Sequence, residues 1–209
     1  MSEHELILRG GNPALDFINT VQDWTVADPD DYLTEFADAV RFGEMAGLVT
    51  RADAEHSRRR GPRLELARLI ELRALLRRIF EARLSGQEPA RADLDALANG
   101  FAEAARATRL VPVAHRGESE PAQMMRQVVA AQAGDATLRL RIIDAAVSLL
   151  VSDAMARVKS CPSCGWFFLD VSKNRSRRWC SMDACGAITK SRRYYRRTKA
   201  PGVRSLGGD

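Results

Sequence analysis

Apolar residues recur every three to four positions along most of the chain before its cysteines, which is the spacing of amphipathic α-helices. The clearest stripe runs through Leu66, Leu69, Ile70, Arg73, Leu76, Ile79 and Phe80, with further arginines on the other face. Side chains at this spacing share one helix face, so the stripe predicts a long helix that packs on one side. Together with the glycines and prolines that interrupt it, the pattern predicts helices at about 34–47, 51–59, 63–84 and 90–107.

A further helix is expected later in the chain. Residues 138–158 are apolar on nearly all sides of a helix, which predicts a buried central helix. Near the N-terminus, residues 6–8 predict a short strand, and the spacing of Leu15, Ile18 and Val21 predicts a helical segment after it.

One hairpin is expected between the fourth helix and the central helix. Residues 109–114 and 121–128 predict its two strands, with the turn at 116–119. The sequence therefore predicts a mainly α fold with a small β component, in which a helical N-terminal body carries short strands.

The four cysteines of the chain all lie in its last quarter, at Cys161, Cys164, Cys180 and Cys185. A C-x2-C knuckle places two sulfurs on one side of a tetrahedron and a second pair closes the other side, which predicts one zinc ion bound by four thiolates. Because four protein ligands leave no position for water, this zinc is expected to be structural. Two disulfides are the alternative for an even cysteine count. The sequence from Met1 shows no basic, apolar leader, so we expect a cytoplasmic protein with reduced thiols.

The residues around the cysteines predict the rest of a small zinc finger. Residues 166–170 predict a hairpin strand, and residues 173–176 predict the turn that returns toward the third cysteine. A helix is expected from about Asp183 to Thr198. A knuckle, a hairpin and a helix that carries the last ligand at its first turn describe a treble-clef-like four-cysteine finger at the C-terminus.

This last helix is expected to have two different faces. At 100° per residue, its cations fall within an arc of about 160°. The cationic positions are Lys190, Arg192, Arg193, Arg196 and Arg197. Ala187, Ile188, Tyr194 and Tyr195 lie on the opposite side and are expected to pack against the protein.

Charge divides the chain at the start of the finger. Residues 156–209 hold 13 Lys and Arg against 3 Asp and Glu, a net charge of +10, whereas residues 1–155 hold 19 against 24, a net charge of −5. A basic module beside an acidic body is typical of proteins that bind polyanions, so we expect nucleic acid as the partner. The cations of the last helix are expected to bind it together with Lys173, Arg175, Arg177 and Arg178. No stretch approaches the roughly 20 apolar residues of a membrane span.

The finger region carries a resemblance to a known family. Residues 157–199, with C-P-S-C-G-W-F-F-L-D-V-S-K-N-R-S-R-R-W-C-S-M-D-A-C-G and the arginines and tyrosines that follow, resemble the CGNR-type zinc finger of bacterial proteins. Leu-Asp-Phe-Ile-Asn-Thr at 15–20 and the helical body after it are similar to the ABATE-like domain, which accompanies this finger in a family described as putative stress-induced transcription regulators. The resemblance implies a DNA-binding transcription regulator of the stress response, with a regulatory, ligand-sensing domain at 1–156, the finger at 157–199 and a flexible tail at 200–209.

The chain departs from the motif that names the finger. Where the family has Asn and Arg after Cys-Gly, this chain has Ala187 and Ile188. The metal ligands remain, but an apolar pair neither reads base edges nor binds phosphate. We therefore expect electrostatic contacts to dominate binding and sequence discrimination to be modest.

Two further groups of residues have competing interpretations. Asp16, Asn19 and Thr20 lie on one helical face and form a candidate pocket for an unknown small-molecule effector, whereas such residues more often cap helices and fix loops. The aromatic residues of the finger, Phe167, Phe168 and Trp179, are candidates for stacking on unpaired bases. A finger of this size needs aromatic residues for its own core, which favours the core interpretation.

No set of acid, base and nucleophile is recognisable, so we expect no enzymatic activity. His4, His56 and His115 are isolated and are expected at the surface. The sequence thus predicts a DNA-binding regulator whose body forms a homodimer or senses an effector. In the alternative, the finger binds RNA or a protein partner, and the body is an interaction module without a regulatory ligand.

Overall fold

The computed structural model describes residues 6–60, 63–112 and 124–199, with only the backbone described at some helical positions. The helices are α1 (Pro13–Ile18), α2 (Phe36–Met45), α3 (Arg51–Arg60), α4 (Arg63–Leu84), α5 (Arg91–Arg106), α6 (Ala130–Ala133), α7 (Thr137–Leu150) and α8 (Ala187–Lys199). The strands are β1 (Thr108–Pro112), β2 (Met124–Val128), β3 (Val158–Ser160) and β4 (Phe167–Leu169). Shorter turns of 3-10 helix lie at Gly134–Ala136 and Asp153–Arg157, and a π-helical turn lies at Met182–Gly186. The expectations for His4, His115, the turn at 116–119 and the tail at 200–209 lie outside the described residues, as does the side chain of His56.

The body is built around α7, as its apolar sequence predicts. Helices α1, α4 and α5 all pack against α7, and Ile142 and Ala146 at its middle are fully buried. From α4, the apolar stripe contributes Leu69 and Leu76, which are also fully buried. Burial of such side chains is the main favourable contribution to folding of the body. The four helices predicted before the hairpin are all present, with ends within two residues of those expected.

The predicted end of the central helix was wrong. Helix α7 stops at Leu150 because the chain turns there, with the Ser152 hydroxyl donating to the Leu149 carbonyl. After a 3-10 turn, Val158 begins a strand instead of ending a helix. A continuous apolar run does not distinguish these outcomes, because both keep the side chains buried.

The N-terminal prediction also needs correction. Residues 6–9 form no strand, although Leu6 is buried, because their backbone has no partner strand until Gly10 accepts a hydrogen bond from Leu169 N (2.8 Å). Helix α1 ends at Ile18 instead of continuing to Val21, which forms an isolated bridge with Asp31.

The two hairpins have different outcomes. Strands β1 and β2 pair antiparallel with Thr108 opposite Val128, which confirms the predicted hairpin within the described residues. Strand β4 is present as expected, but its partner is β3, which precedes the zinc knuckle. The arm expected to return toward Cys180 forms no strand.

The β3–β4 hairpin joins two hydrophobic cores. Successive strand residues point to opposite faces, so Phe167 enters the large core of the body while Phe168 enters a small cluster with the four cysteines. Both rings are almost fully buried, which confirms the core interpretation for these two residues. The hairpin therefore fixes the position of the cysteines relative to the body. No helix in the described part of the chain is long and apolar enough to cross a membrane.

Candidate metal centre and nucleic-acid surface

The four cysteine sulfurs lie close together. Cys161 and Cys164 belong to the knuckle between β3 and β4, Cys180 follows the loop after β4, and Cys185 lies in the π-helical turn. The Sγ atoms of Cys164, Cys180 and Cys185 are 3.6 Å apart in each pairing, and all four lie within 4.8 Å of one another. Four sulfurs at the zinc–sulfur distance of about 2.3 Å on a tetrahedron are about 3.8 Å apart.

This arrangement fits one structural zinc ion and excludes the two-disulfide alternative. All four cysteines are free and buried, and their separations far exceed a disulfide bond of about 2.0 Å. With four thiolates around it, the ion has no open position, so it stabilises the finger and supplies no chemistry at a water molecule. The zinc ligands predicted from the cysteine spacing are therefore brought together by the fold.

The backbone around the knuckle donates hydrogen bonds to the sulfurs. The Ser163 and Cys180 N–H groups donate to Cys161, and the Trp166 N–H group donates to Cys164. Gly165 adopts a φ of +72°, and a Cβ there would approach Trp24 Cβ to 2.9 Å. Both the left-handed turn and the lack of space therefore require glycine at this position.

Hydrogen bonds among the thiols distribute their protons unevenly. Hydrogen bonds from Cys164 and Cys180 lower the pKa of Cys161, and the same bonds raise the pKa of Cys164 and, to about 12, that of Cys180. A cation must therefore displace protons to obtain four thiolates, and zinc binding to such a set releases them.

Asn19 connects the body to the finger. Its side-chain amide donates from Nδ2 to the Phe167 carbonyl (2.8 Å) and accepts from the Phe167 N–H at Oδ1 (2.9 Å), so it pairs with β4 as a neighbouring strand would. Nearby, Trp166 Nε1 donates to the Val21 carbonyl (2.7 Å), and Trp24 N donates to the Cys164 carbonyl (2.9 Å). Asn19 is buried, so losing the amide would leave two backbone groups without partners.

Arg77 of α4 is a second connection, and sequence reasoning missed it. Its Nη1 donates to the Gly165 carbonyl (2.6 Å), and its guanidinium lies 4.2 Å from the Phe167 ring centroid and 5.0 Å from that of Trp24. This places a body cation beside the zinc knuckle, where it offsets part of the thiolate charge. One feature of the sequence could have indicated this contact. Arg73 interrupts the apolar stripe of α4, and Arg77 lies one helical turn after it.

The candidate effector pocket is a set of internal contacts in this structure. Asp16 Oδ1 accepts from Gly10 N (2.6 Å), and burial raises the pKa of Asp16 although backbone N–H groups oppose the shift. Thr20 Oγ1 donates to the Phe17 carbonyl and accepts from Arg73 (2.9 Å). Together with Asn19, these residues fix loops and the finger, which is the alternative role the sequence offered. Effector binding by the body stays a prediction.

An ion pair between a half-buried lysine and a buried carboxylate shapes the basic loop after β4. Lys159 Nζ donates to Asp170 Oδ2 (2.6 Å) and to the carbonyls of Arg175 (2.5 Å) and Arg177 (3.1 Å). Asp170 is inaccessible to solvent, and its hydrogen bonds from Lys159 and Ser172 hold the pKa of its carboxyl well below the usual range. Arg175 has a φ of +50°, a left-handed conformation that this network holds in place.

The loop cations expected to bind nucleic acid divide into two groups. Lys173, Arg175 and Arg178 are exposed. Arg177 instead donates to the Trp179 carbonyl (3.0 Å) and the Cys180 carbonyl, and its guanidinium lies 4.6 Å from the Phe168 ring centroid. Arg177 therefore braces the zinc centre in this structure. Half-buried Trp179 packs against the cysteine cluster and lies 5.1 Å below Arg178.

Helix α8 extends away from the body. It packs chiefly against the π-helical turn before it, and Lys190 is exposed. The side chains of Arg192, Arg193, Arg196 and Arg197 lie outside the described part of the chain, although their helix is described.

The expectation that the tyrosine side of α8 packs against the protein was wrong. Tyr194 and Tyr195 are 66% and 62% exposed, and Ile188 is 47% exposed. Among the described residues α8 packs chiefly against the π-helical turn before it, so much of this side stays accessible to solvent.

Comparison with known proteins agrees with the architecture. Residues 157–198 match the CGNR zinc finger model. No protein of curated function matches the sequence. Residues 11–153, more than half of the chain, match the ABATE model, described as "Putative stress-induced transcription regulator", and the chain therefore belongs to this family.

Proposed function

We propose that the protein is a DNA-binding transcription regulator whose zinc finger contacts phosphates through the loop at 173–178 and through α8. The observation that carries the proposal is the position of exposed cations on two elements fixed by the metal centre. Lys173, Arg175 and Arg178 lie on the loop before Cys180, and Lys190 lies one helical turn after Cys185. Cations held in this way lose little freedom when they bind a polyanion.

The internal contacts of the finger support the same proposal. Arg157, Lys159 and Arg177 donate hydrogen bonds that build the loop, whereas Lys173, Arg175 and Arg178 face solvent. The net charge of +10 over residues 156–209 adds a field that attracts anions to this end of the molecule. The family description, which names a transcription regulator, favours DNA over RNA as the polyanion.

We expect Lys173→Ala combined with Lys190→Ala to weaken binding to duplex DNA of every sequence alike. Each lysine that contacts a phosphate contributes about 0.9 to the slope of log affinity against log salt, so the slope should flatten by about two. Fluorescence anisotropy of zinc-loaded protein with labelled duplex, across a salt series, measures both quantities.

A matched control removes the same charge from the body. Arg106→Ala combined with Arg109→Ala lowers the net charge equally at two exposed positions away from the finger. This control should leave the salt slope unchanged. An equal effect of the two double variants would show that only net charge matters. Zinc-loaded protein that binds neither duplex nor single strand near physiological salt would contradict the proposal and favour a finger that binds a protein partner.

We also propose that two chains pair through the body. One finger that contacts a few base pairs gives little specificity against a genome of competing sites, and symmetric dimers are the usual solution. The apolar side chains of α7 are largely buried in the core and are not available for pairing. Helix α4, in contrast, has Leu64 (65% exposed) and Ile70 (37% exposed) at the surface. We expect light scattering at micromolar concentration, with DNA present, to give the mass of a dimer. A strictly monomeric mass would favour the alternative in which the finger binds RNA or a protein partner.

The proposal also covers the localisation of the protein and its regulation. A regulator of this kind acts in the cytoplasm and responds to stress, with the effector sensed by the body. We propose no catalytic activity for it.

A further inference from the structure

The exposed side of α8 carries flat aromatic rings beside a cationic strip. Tyr194 and Tyr195 are each more than half exposed, and their ring centroids lie 6.1 Å apart at an interplanar angle of 75°. Exposed tyrosines are frequent at binding surfaces. The exposed faces of this pair are therefore a candidate contact for a partner molecule.

The helical positions of the tyrosines place them at the two borders of the cationic arc. At 100° per residue, Tyr194 lies about 40° beyond Lys190, and Tyr195 lies about 60° beyond Arg192 on the other side. The two rings contact each other on the side opposite the arc, and each lies next to a cationic position at a border of the arc. A base that stacks on either ring can therefore keep its phosphate near a cation. The net positive charge of this helix selects an anionic partner.

We infer that Tyr194 and Tyr195 are stacking surfaces for unpaired bases, so that the finger prefers single-stranded over fully paired DNA. This inference rests on the proposed function, because it names the form of nucleic acid that the same site binds. In a duplex, base faces are covered by neighbouring bases and only their edges are accessible. In a single strand each base offers a face on which an aromatic ring can stack.

The apolar residues near the start of α8 support the same preference. Ile188 is 47% exposed and Met182, in the turn before the helix, is 50% exposed. Neither side chain forms hydrogen bonds with base edges, but both favour contact with the apolar face of an unstacked base. Ile188 stands where the CGNR motif has Arg, so this chain has apolar surface at a position where the motif has a cation.

The test compares two DNAs of equal length with the zinc-loaded full chain. The probes are an unstructured single strand of about 16 nucleotides, the upper end of single-strand site sizes, and the duplex formed with its complement. We expect tighter binding to the single strand and an advantage that grows with salt, because salt weakens phosphate contacts more than stacking.

Two matched double variants measure the contribution of the aromatic rings to binding. Tyr194→Leu with Tyr195→Leu keeps apolar helix-forming side chains without a flat ring, and it should lower single-strand affinity about 30-fold while duplex affinity stays within about twofold. Tyr194→Phe with Tyr195→Phe keeps both rings and should retain most of the single-strand affinity. Zinc content and the far-ultraviolet circular dichroism of each variant check that the finger is intact.

The outcomes distinguish this inference from the proposed function. Duplex binding that is as tight as single-strand binding, and unaffected by the leucine variant, would overturn the inference and leave the DNA-binding proposal standing. Equal losses in the leucine and phenylalanine variants would also overturn it, because they would assign the effect to the hydroxyl groups. Failure to bind either DNA, even at low salt, would reject the proposed function and this inference together.

Discussion

Removing zinc is expected to abolish the order of most of the finger while the body remains folded. The cysteine cluster contains few apolar partners besides Trp166, Phe168 and Trp179, which is too little core for about 40 residues without a metal. Structural zinc in comparable fingers contributes about 10–16 kcal/mol of apparent binding free energy at neutral pH. Cys180→Ser should therefore hold well below one zinc per chain after dialysis against a mild chelator, as elemental analysis measures.

Hydrogen exchange followed by mass spectrometry locates the expected loss. Protection should disappear in the knuckle at 161–166 and from residue 177 to the end of α8, while α4 and α7 stay protected. Strand β4 should keep part of its protection because Asn19 and the body core still hold Phe167. Ser163→Ala is the control, since it changes a knuckle side chain that is not a ligand. A finger that stays protected in Cys180→Ser would contradict a structural role for the metal.

Local patterns predict the helices and the metal site well because each is encoded over a short distance. The stripe of α4 and the glycines and prolines around it fix that helix to the residue. Cys161 and Cys164 are only three residues apart, so the local sequence alone indicates two of the four zinc ligands. Where the hydrophobic pattern is compatible with two structures, as after Leu150, the prediction fails. The pairing that decides the outcome there is the hairpin with β4, which the hydrophobic pattern before Val158 does not encode.

The connection between finger and body could not be predicted in this way. Asn19 and Phe167 are 148 residues apart, and no local sequence pattern around either residue indicates that the two are in contact. Arg177 illustrates the same limit inside the finger, because in sequence it looks like its exposed neighbour Arg178. Only the fold shows that one arginine braces the Cys180 carbonyl while the other faces solvent. The sequence therefore shows how many cations a motif has. It does not show which of them stabilise the fold and which are exposed and free to bind a partner molecule.

The two neighbouring phenylalanines of β4 are expected to have separable effects. Phe167 packs in the body core, 6.1 Å from Phe80 between ring centroids, so Phe167→Ala should lower the free energy of unfolding of the body by about 3–5 kcal/mol. Chemical denaturation followed by far-ultraviolet circular dichroism measures this loss, because most of the helix lies in the body.

Phe168→Ala is the matched variant, since it removes the same side chain from the other face of the same strand. Phe168 is fully buried among the cysteines, so its loss should speed zinc release to a chelator at least about tenfold and leave the denaturation midpoint of the body nearly unchanged. Zinc release by Phe167→Ala should stay close to that of the original protein. If both variants lost zinc and body stability to the same extent, the two clusters would unfold as one unit, and the hairpin would couple the stability of the body to that of the finger. Separate effects would mean that the body and the finger are coupled chiefly through the polar contacts of Asn19 and Arg77, because the apolar cores on the two faces of β4 then act independently.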